Sequence, residues 1–302
     1  MSHNIHGPCR ALTCMMLCSG LTASAQNLLW HNEWEYFWQG TIVQYFHDGP
    51  IVVDANANTY MASQLIGTMD VDPGPGTTTL TSGLVNGSQR PSSICLSKFD
   101  PNGAWLWTKQ IGHNYSNAPQ AVAVDPAGNV YLSGRFTGTV DFDPGPGVAN
   151  LISAGSEDIF VMKFDPDGNY LWAHRFGSSH DLEGGWSMVV DAAGNAFVMM
   201  SAFNTFDVDP GPGSVPFTPA GQLSSILKLD SDGNYVWAKT LEFDSTYGRF
   251  QYIALDPSGD LAITGTYNGA LDVDPGPGTA PLPWDSTSNY HTFIMKWDGD
   301  GN

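Results

Sequence analysis

The sequence predicts an all-β protein, a β-propeller of four-stranded antiparallel blades with about four blades in this chain. Three observations predict it. The motif D-x-D-P-G-P-G occurs four times, beginning at Asp70, Asp141, Asp207 and Asp272. Apolar segments joined by turns of the D-x-x-G-N kind flank every copy. The 34 Gly and 20 Pro of the chain favour many short strands over helices.

Each copy contains the elements of one blade in a fixed order. The motifs recur every 65 to 71 residues. VAVDPAGNVYLSG, residues 122–134, precedes the second motif, and DIFVMKFDPDGNYLW, residues 158–172, follows it. The order is strand, turn, strand, long Gly/Pro loop, strand, turn, strand. Continuously apolar strands indicate that neighbouring copies cover both faces of each sheet. The alternative fold made of stacked repeats is a β-solenoid, which normally has shorter repeats with one strand on each face.

The repeated unit resembles a known family. The combination of AVDPAGNVYLSGRFTGTVDFDPGPG with DIFVMKFDPDGNYLWAHRFG is similar to the bacterial β-propeller repeat called SBBP, which occurs in exported and cell-surface proteins. The resemblance covers about residues 48–302, and its elements recur in the same order in all four copies. It implies a propeller fold and an extracellular setting, and it implies no particular reaction.

Residues 1–25 have the features of a secretory signal peptide. Arg10 supplies the positive charge, an apolar stretch follows it, and a cleavage site of small residues ends at Ala25. The mature chain is therefore expected to be secreted or displayed at the cell surface after cleavage near Ala25. It keeps one cysteine, Cys95, so no internal disulfide is expected. The propeller domain is assigned to residues 26–302, with repeats at about 48–112, 113–177, 178–242 and 243–302.

The last copy lacks its fourth strand. It stops at Asn302, where the tryptophan-containing strand of the other copies begins. Residues 26–32, which start QNLLW, align with GNYLW at residues 168–172, and our hypothesis is that they complete the final blade. Such strand exchange would close the ring without an open sheet edge. Two alternatives stay open: the chain is a fragment of a longer propeller with further blades, or the open end pairs with a second chain.

The charge of the chain restricts its partners. There are 30 acidic residues against 11 basic ones, a net charge of −19. Nucleic acid and anionic membrane surfaces would be repelled, so neither is an expected partner. Membrane insertion is not expected either, because the N-terminal apolar run is too short to span a bilayer.

The D-x-D-P-G-P-G motifs are candidates for calcium sites. In an extended strand, residues i and i+2 face the same way, so each motif presents two carboxylates on one side. Calcium takes six to eight oxygen ligands, and neighbouring carbonyls could complete such a shell. The alternative is that the carboxylates cap backbone N–H groups in a rigid turn. No cofactor is required under either interpretation. The eight carboxylates belong to Asp70, Asp72, Asp141, Asp143, Asp207, Asp209, Asp272 and Asp274.

Two further residue types repeat with the blades. A lysine recurs in the third strand, at Lys98, Lys163, Lys228 and Lys296. Because an unpaired buried ammonium is costly, each lysine needs a partner, and the Asp pair of the motif is the acidic group considered for it. A tryptophan recurs in the fourth strand, at Trp107, Trp172 and Trp237, and is assigned to packing between blades.

Ligand-binding residues are expected where the copies differ. The most variable segments connect one copy to the next, on one face of a propeller where ligands usually dock. Their aromatic, acidic and basic side chains suit a glycan or an extracellular protein partner. Solvated loops with a few packing aromatics are the alternative. The candidates are His113, Tyr115, His180, Asp181, Glu183, Asp244, Tyr247 and Arg249.

Catalytic motifs are missing from the sequence. It contains no HExxH, GxSxG, P-loop or CxxC motif, and no catalytic residue is assigned. We therefore expect a non-catalytic binding or structural module outside the cytoplasm. The alternative function is a polysaccharide hydrolase or lyase in which Asp181 and Glu183 act as acid and base.

Overall fold

The fold was analysed in a computed structural model. It describes residues 49–83, 91–112, 117–179, 184–201, 204–218, 225–241, 249–284 and 290–302, and the backbone of short strands between 38 and 47. The chain divides into two compact units, Met1–His31 and Asn32–Asn302, and all described residues belong to the second unit. Within these ranges every regular element is a β-strand, and no helix capable of crossing a membrane is present.

Antiparallel sheets follow one another along the chain, which confirms the predicted propeller of four-stranded blades. Blade 1 contains Tyr45–His47 and Ile51–Val53, which both pair with Thr59–Ile66, and then Ser93–Phe99 and Trp105–Ile111. Blade 2 contains Asn117–Val124, Val130–Phe136, Asp158–Phe164 and Tyr170–Phe176. Blade 3 contains Gly184–Val190, Ala196–Ser201, Ser225–Leu229 and Tyr235–Thr240. Blade 4 contains Arg249–Leu255, Leu261–Tyr267 and His291–Trp297.

Two predictions concern the N-terminal segment, namely the signal peptide and the strand that completes blade 4. Residues 26–32, the hypothetical fourth strand of blade 4, lie outside the described residues, as does the signal segment 1–25. A separate two-stranded sheet joins Trp38–Gln39 to Ile42–Val43. The hypothesis of ring closure by the N-terminal segment therefore stays a prediction.

The Asp turns explain why the hairpins form where they do. In the second hairpin of blade 2, the backbone N–H of Asp165 donates to the carbonyl of Asn169, and Gly168 donates back to the carbonyl of Asp165. The Asp165 carboxylate accepts the N–H groups of Asp167 and Asn169 at 2.9 and 2.8 Å. Gly168 has a φ of 76°, which an L side chain rarely adopts. The D-x-x-G-N pattern thus specifies a turn that its own side chains cap.

The sheets pack face to face through alternating apolar side chains. We call the face of a blade that the next blade covers its outgoing face, and the opposite face its incoming face. Tyr60 and Leu96 on the outgoing face of blade 1 form one buried cluster with Val130 and Leu132 on the incoming face of blade 2. The next two interfaces join Tyr131 and Val161 to Ala196 and Val198, and Phe197 and Ile226 to Leu261 and Ile263.

The long Gly/Pro loop of each copy contains regular structure. Each D-x-D-P-G-P-G segment is the end of a second, two-stranded hairpin, and in blade 2 this hairpin pairs Thr139–Asp141 with Asn150–Ile152. Val140 and Phe142 of this hairpin belong to the buried apolar cluster between blades 1 and 2. The other hairpins are Thr68–Asp70 with Thr79–Thr81, Phe206–Asp207 with Pro216–Phe217, and Leu271–Asp272 with Pro281–Leu282.

The repeated lysines connect one blade to the next. Lys163 Nζ in blade 2 donates to the carbonyl of Ser231 in the turn of blade 3 at 2.8 Å and lies 4.8 Å from the centre of the Tyr131 ring. Lys163 Nζ also lies 4.0 Å from a carboxylate oxygen of Asp125 in its own blade. Its partners are thus the Ser231 carbonyl and Asp125, and not the Asp pair of the motif that was considered for it. Lys98 donates in the same way to Pro166 at 2.9 Å, and Lys228 donates to Gly299 at 2.7 Å.

The repeated tryptophans contact the same turns, which confirms that they pack between blades. Trp172 of blade 2 lies against Gly233 in the turn of blade 3, and its indole N–H donates to the carbonyl of Ser231 at 3.3 Å. A Cβ atom on Gly233 would lie 2.9 Å from Trp172 Cδ2 and 2.6 Å from His174 Nε2. The glycine is thus required by the interface as well as by its φ of 85°.

Replacing Gly233 by Ala tests this double requirement. Gly259 is the matched control, because it has the same position in an Asp turn and a φ of 90°, but a Cβ there would contact nothing within 4 Å. We expect both variants to lose about 1 kcal/mol of unfolding free energy from the positive φ. Gly233→Ala should lose about 1–3 kcal/mol more, because Trp172 and His174 must move. Urea unfolding measures the difference, and equal losses would contradict the interface role.

Candidate functional site

The carboxylates of the D-x-D-P-G-P-G motifs accept hydrogen bonds from their own hairpin. In blade 3, Asp207 Oδ1 accepts the N–H groups of Asp209 at 3.0 Å and Val215 at 2.8 Å, and Asp209 Oδ1 accepts the N–H of Gly211 at 2.8 Å. The N–H groups of Val215 and Asp209 hold the pKa of Asp207 below its ordinary value. Equivalent bonds occur at Asp70, Asp72, Asp141, Asp143, Asp272 and Asp274.

This geometry shows that the Asp pairs cap the tip of each hairpin. Each first Asp joins the two strands of the hairpin, while the second Asp holds the Pro-Gly turn. In the described part of the chain, no group of three or more His, Cys, Asp or Glu side chains is arranged to hold a metal ion. Calcium binding by the eight carboxylates stays a prediction.

The structure places one of the eight ligand candidates. Arg249 begins the first strand of blade 4 and is exposed to solvent. The other seven candidates lie outside the described residues: His113, Tyr115, His180, Asp181, Glu183, Asp244 and Tyr247. Of the eight ligand candidates, the described residues therefore show the surroundings of Arg249 alone.

Arg249 lines a pocket between the first strands of blades 3 and 4. The pocket has a volume of about 380 Å³ and is lined by Trp186, Arg249, Phe250, Gln251 and Tyr252. Trp186 is 53% exposed and Tyr252 is 70% exposed, whereas Phe250 is buried beneath them. Two large aromatic side chains thus face solvent beside a guanidinium and an amide group.

Two β-bulges build this pocket. The strand register shifts between Gly185 and Ser187 in blade 3, and between Phe250 and Tyr252 in blade 4. A bulge inserts an extra residue and redirects its side chain, and here the extra residues are Trp186 and Gln251. The position repeats in blade 2, where the extra residue is Gln120 and its side-chain carbonyl accepts the N–H of Gly185 at 3.0 Å.

The sequence predicted Arg249 but missed Trp186, Gln251 and Tyr252. The available signal was a bulge position that recurs in three blades, where Gln120 and Gln251 hold it in blades 2 and 4 and Trp186 holds it in blade 3. Chemically, the exposed indole can stack on the apolar face of a sugar ring, while the guanidinium and the amide can bond to hydroxyl groups. The described lining residues provide recognition groups, and none of them carries a carboxylate.

Comparisons with known proteins agree with the class that the fold defines, a β-propeller binding or structural module. Residues 106–135 match the family model "Beta-propeller repeat", SBBP, which confirms the resemblance seen in the repeats. This match spans the fourth strand of blade 1 and the first two strands of blade 2.

Two curated proteins are similar to the chain. One is an uncharacterized WD repeat-containing protein, L264, of Acanthamoeba polyphaga mimivirus, 27% identical over 65% of this chain and 16% of the relative. The other is the regulatory protein FlaEY of Caulobacter vibrioides, 24% identical over 61% of this chain and 18% of the relative. The chain matches less than a fifth of the length of either protein.

A solved structure of a gluconolactonase, XC5397 from Xanthomonas campestris, is also similar to the chain. It matches 76% of this chain and 56% of its own, at 14% identity and a TM-score of 0.34. A similarity of this degree carries no inference about a reaction of this chain.

Calcium titration tests the two interpretations of the Asp pairs. Because the N–H groups of each hairpin already occupy one oxygen of every carboxylate, we expect the same Tm in millimolar calcium and in chelator. Asp207→Ala should lower the Tm, since it leaves the N–H groups of Asp209 and Val215 without their acceptor. A Tm that rises with calcium, and does so less in Asp207→Ala, would instead establish a calcium site.

Proposed function

We propose that the chain is an exported, non-catalytic β-propeller module that binds a glycan in the pocket formed by Trp186, Arg249 and Gln251. The observation that carries this proposal is the exposed indole of Trp186 beside a guanidinium and an amide, at a bulge between two blades. Export is supported by the character of residues 1–25, and the repeat family is compatible with an extracellular location.

A glycan fits this pocket better than a protein surface does. Its volume of 380 Å³ is within the range of small-molecule pockets, about 300–1,000 Å³. Protein partners usually need a larger and flatter contact area. The net charge of −19 disfavours polyanions, so a neutral oligosaccharide is the favoured class of ligand.

The pocket supports binding rather than turnover. The acid and base of the alternative hydrolase or lyase, Asp181 and Glu183, lie outside the described residues, and none of the described residues that line the pocket is a carboxylate. An extracellular protein partner stays the second candidate for the connecting loops. The activities of the longer relatives are not transferred to this chain, because the match covers a small part of each.

Trp186→Ala is the variant that tests the glycan site. Wild-type protein is screened on an array of neutral and acidic oligosaccharides, and the Kd of the best neutral ligand is measured by calorimetry. We expect Trp186→Ala to weaken binding by roughly tenfold or more, about 1.4 kcal/mol, because stacking on the indole is lost. Trp284→Ala is the matched control, since Trp284 is also exposed but lies outside the pocket.

Three results would contradict the proposal. They are an array without bound glycans, a Trp186→Ala variant with the wild-type Kd, and an equal loss of affinity in Trp284→Ala. Release of reducing ends from the bound polysaccharide would favour the hydrolase or lyase instead.

A further inference from the structure

The bulge that presents Trp186 is held by side chains of blade 2. The backbone N–H of Gly185, the residue before Trp186, donates to the side-chain carbonyl of Gln120 at 3.0 Å. The carbonyl of Gly185 accepts the hydroxyl of Ser133 at 3.1 Å. Gln120 and Ser133 lie in the first and second strands of blade 2. The peptide groups on both sides of Gly185 are therefore fixed by the neighbouring blade.

These bonds meet a need that the bulge creates. A bulge disrupts the ladder of backbone hydrogen bonds, and a buried peptide group without a partner is costly. Gly185 is buried, and it has no side chain to restrict its backbone. The peptide group that accepts from Ser133 also contains the N–H of Trp186. Its orientation therefore determines the direction in which the Trp186 side chain leaves the strand.

The backbone at Gly185 packs directly against blade 2. A Cβ atom on Gly185 would lie 3.2 Å from Ile159 Cγ2 and 3.3 Å from both Cβ and Oγ of Ser133. Ile159 and Ser133 are fully buried. Because a side chain at residue 185 would push the bulge away from blade 2, glycine is the residue that allows both hydrogen bonds to form.

The two holding side chains are not repeated in the neighbouring blades. Gln120 stands five residues before the aspartate of the first turn, and Ser133 lies opposite the residue two before the repeated lysine. The residues at these two positions are Gly49 and Ala62 in blade 1, and Trp186 and Met199 in blade 3. None of these four offers a side-chain carbonyl or a hydroxyl. A contact required by the scaffold would recur between blades, as the lysine contacts do, whereas this pair of bonds accompanies Trp186.

We infer that Gln120 and Ser133 are positioning residues, which hold the Trp186 indole in the orientation that binds the glycan. The inference rests on the proposed function for its ligand, while the holding contact itself needs no ligand. The site then extends over three blades, because Trp186 of blade 3 and Arg249 of blade 4 line the pocket and blade 2 fixes the first of them. An indole that is ordered before binding loses less conformational freedom when a sugar stacks on it.

Fluorine NMR of the full chain labelled with 5-fluorotryptophan tests the positioning without a ligand. The resonance that disappears in Trp186→Phe is the signal of Trp186. We expect this signal to be single and sharp in the wild type. In Gln120→Met and Ser133→Ala it should be broadened or split, because the bulge then samples more than one conformation. Gln120→Glu keeps an acceptor oxygen at the same place, so its Trp186 signal should stay single.

Ser63→Ala is the matched control for the loss of a buried hydroxyl. Ser63 is fully buried in blade 1, and its hydroxyl donates to the carbonyl of Cys95 at 3.4 Å. We expect the Trp186 signal of this variant to equal that of the wild type. Wild-type Trp186 signals in both Gln120→Met and Ser133→Ala would overturn the inference, and so would an equal change in Ser63→Ala.

The Kd of the glycan identified on the array measures the consequence for binding, at a temperature well below the Tm of each variant. We expect Gln120→Met to raise the Kd about threefold to tenfold, because the binding orientation of the indole is then populated only part of the time. The Kd of Gln120→Glu should be near the wild-type value.

The two readouts separate failure of the positioning from failure of the proposed function. A wild-type Kd in Gln120→Met, together with weakened binding in Trp186→Ala, would overturn the positioning role in binding. An array without bound glycans would contradict the proposed function instead, and the fluorine spectra would then decide the positioning by themselves.

Discussion

The structure depends on one constraint: every blade has two apolar faces, and neighbouring blades cover them together with the D-x-D-P-G-P-G hairpins. A four-stranded blade alone would expose Tyr131 and Val161 on one side and Val130 and Leu132 on the other. Stacking successive blades removes these side chains from water, which is the dominant favourable term in folding. The repetition of the sequence is the consequence, because each blade must present the same pair of faces to its neighbours.

Polar residues determine how the blades are aligned with one another. Apolar packing is non-directional and would tolerate some sliding of one sheet over the next. The hydrogen bond from Lys163 to Ser231 is directional, and the close approach of Trp172 to Gly233 admits no side chain at that glycine. A lysine in the third strand, a tryptophan in the fourth and a glycine in the next turn thus recur together because they form one contact.

The sequence allowed the fold to be predicted but not the partners of its repeated side chains. Repetition shows that Lys163 belongs to the scaffold, but it does not show which blade the side chain reaches. The acceptor is a backbone carbonyl, and a carbonyl has no signature in the sequence because every residue has one. The same applies to the pocket. Arg249 stands in a variable segment and was predicted. The position of the Trp186 side chain depends on a β-bulge that no local sequence pattern predicts.

The division between repeated and unrepeated residues also separates stability from recognition. A change at a repeated position affects a contact between blades, and such a residue has little freedom to vary. A bulge residue such as Trp186 lies beside the scaffold, where side chains differ from blade to blade without disturbing the sheets.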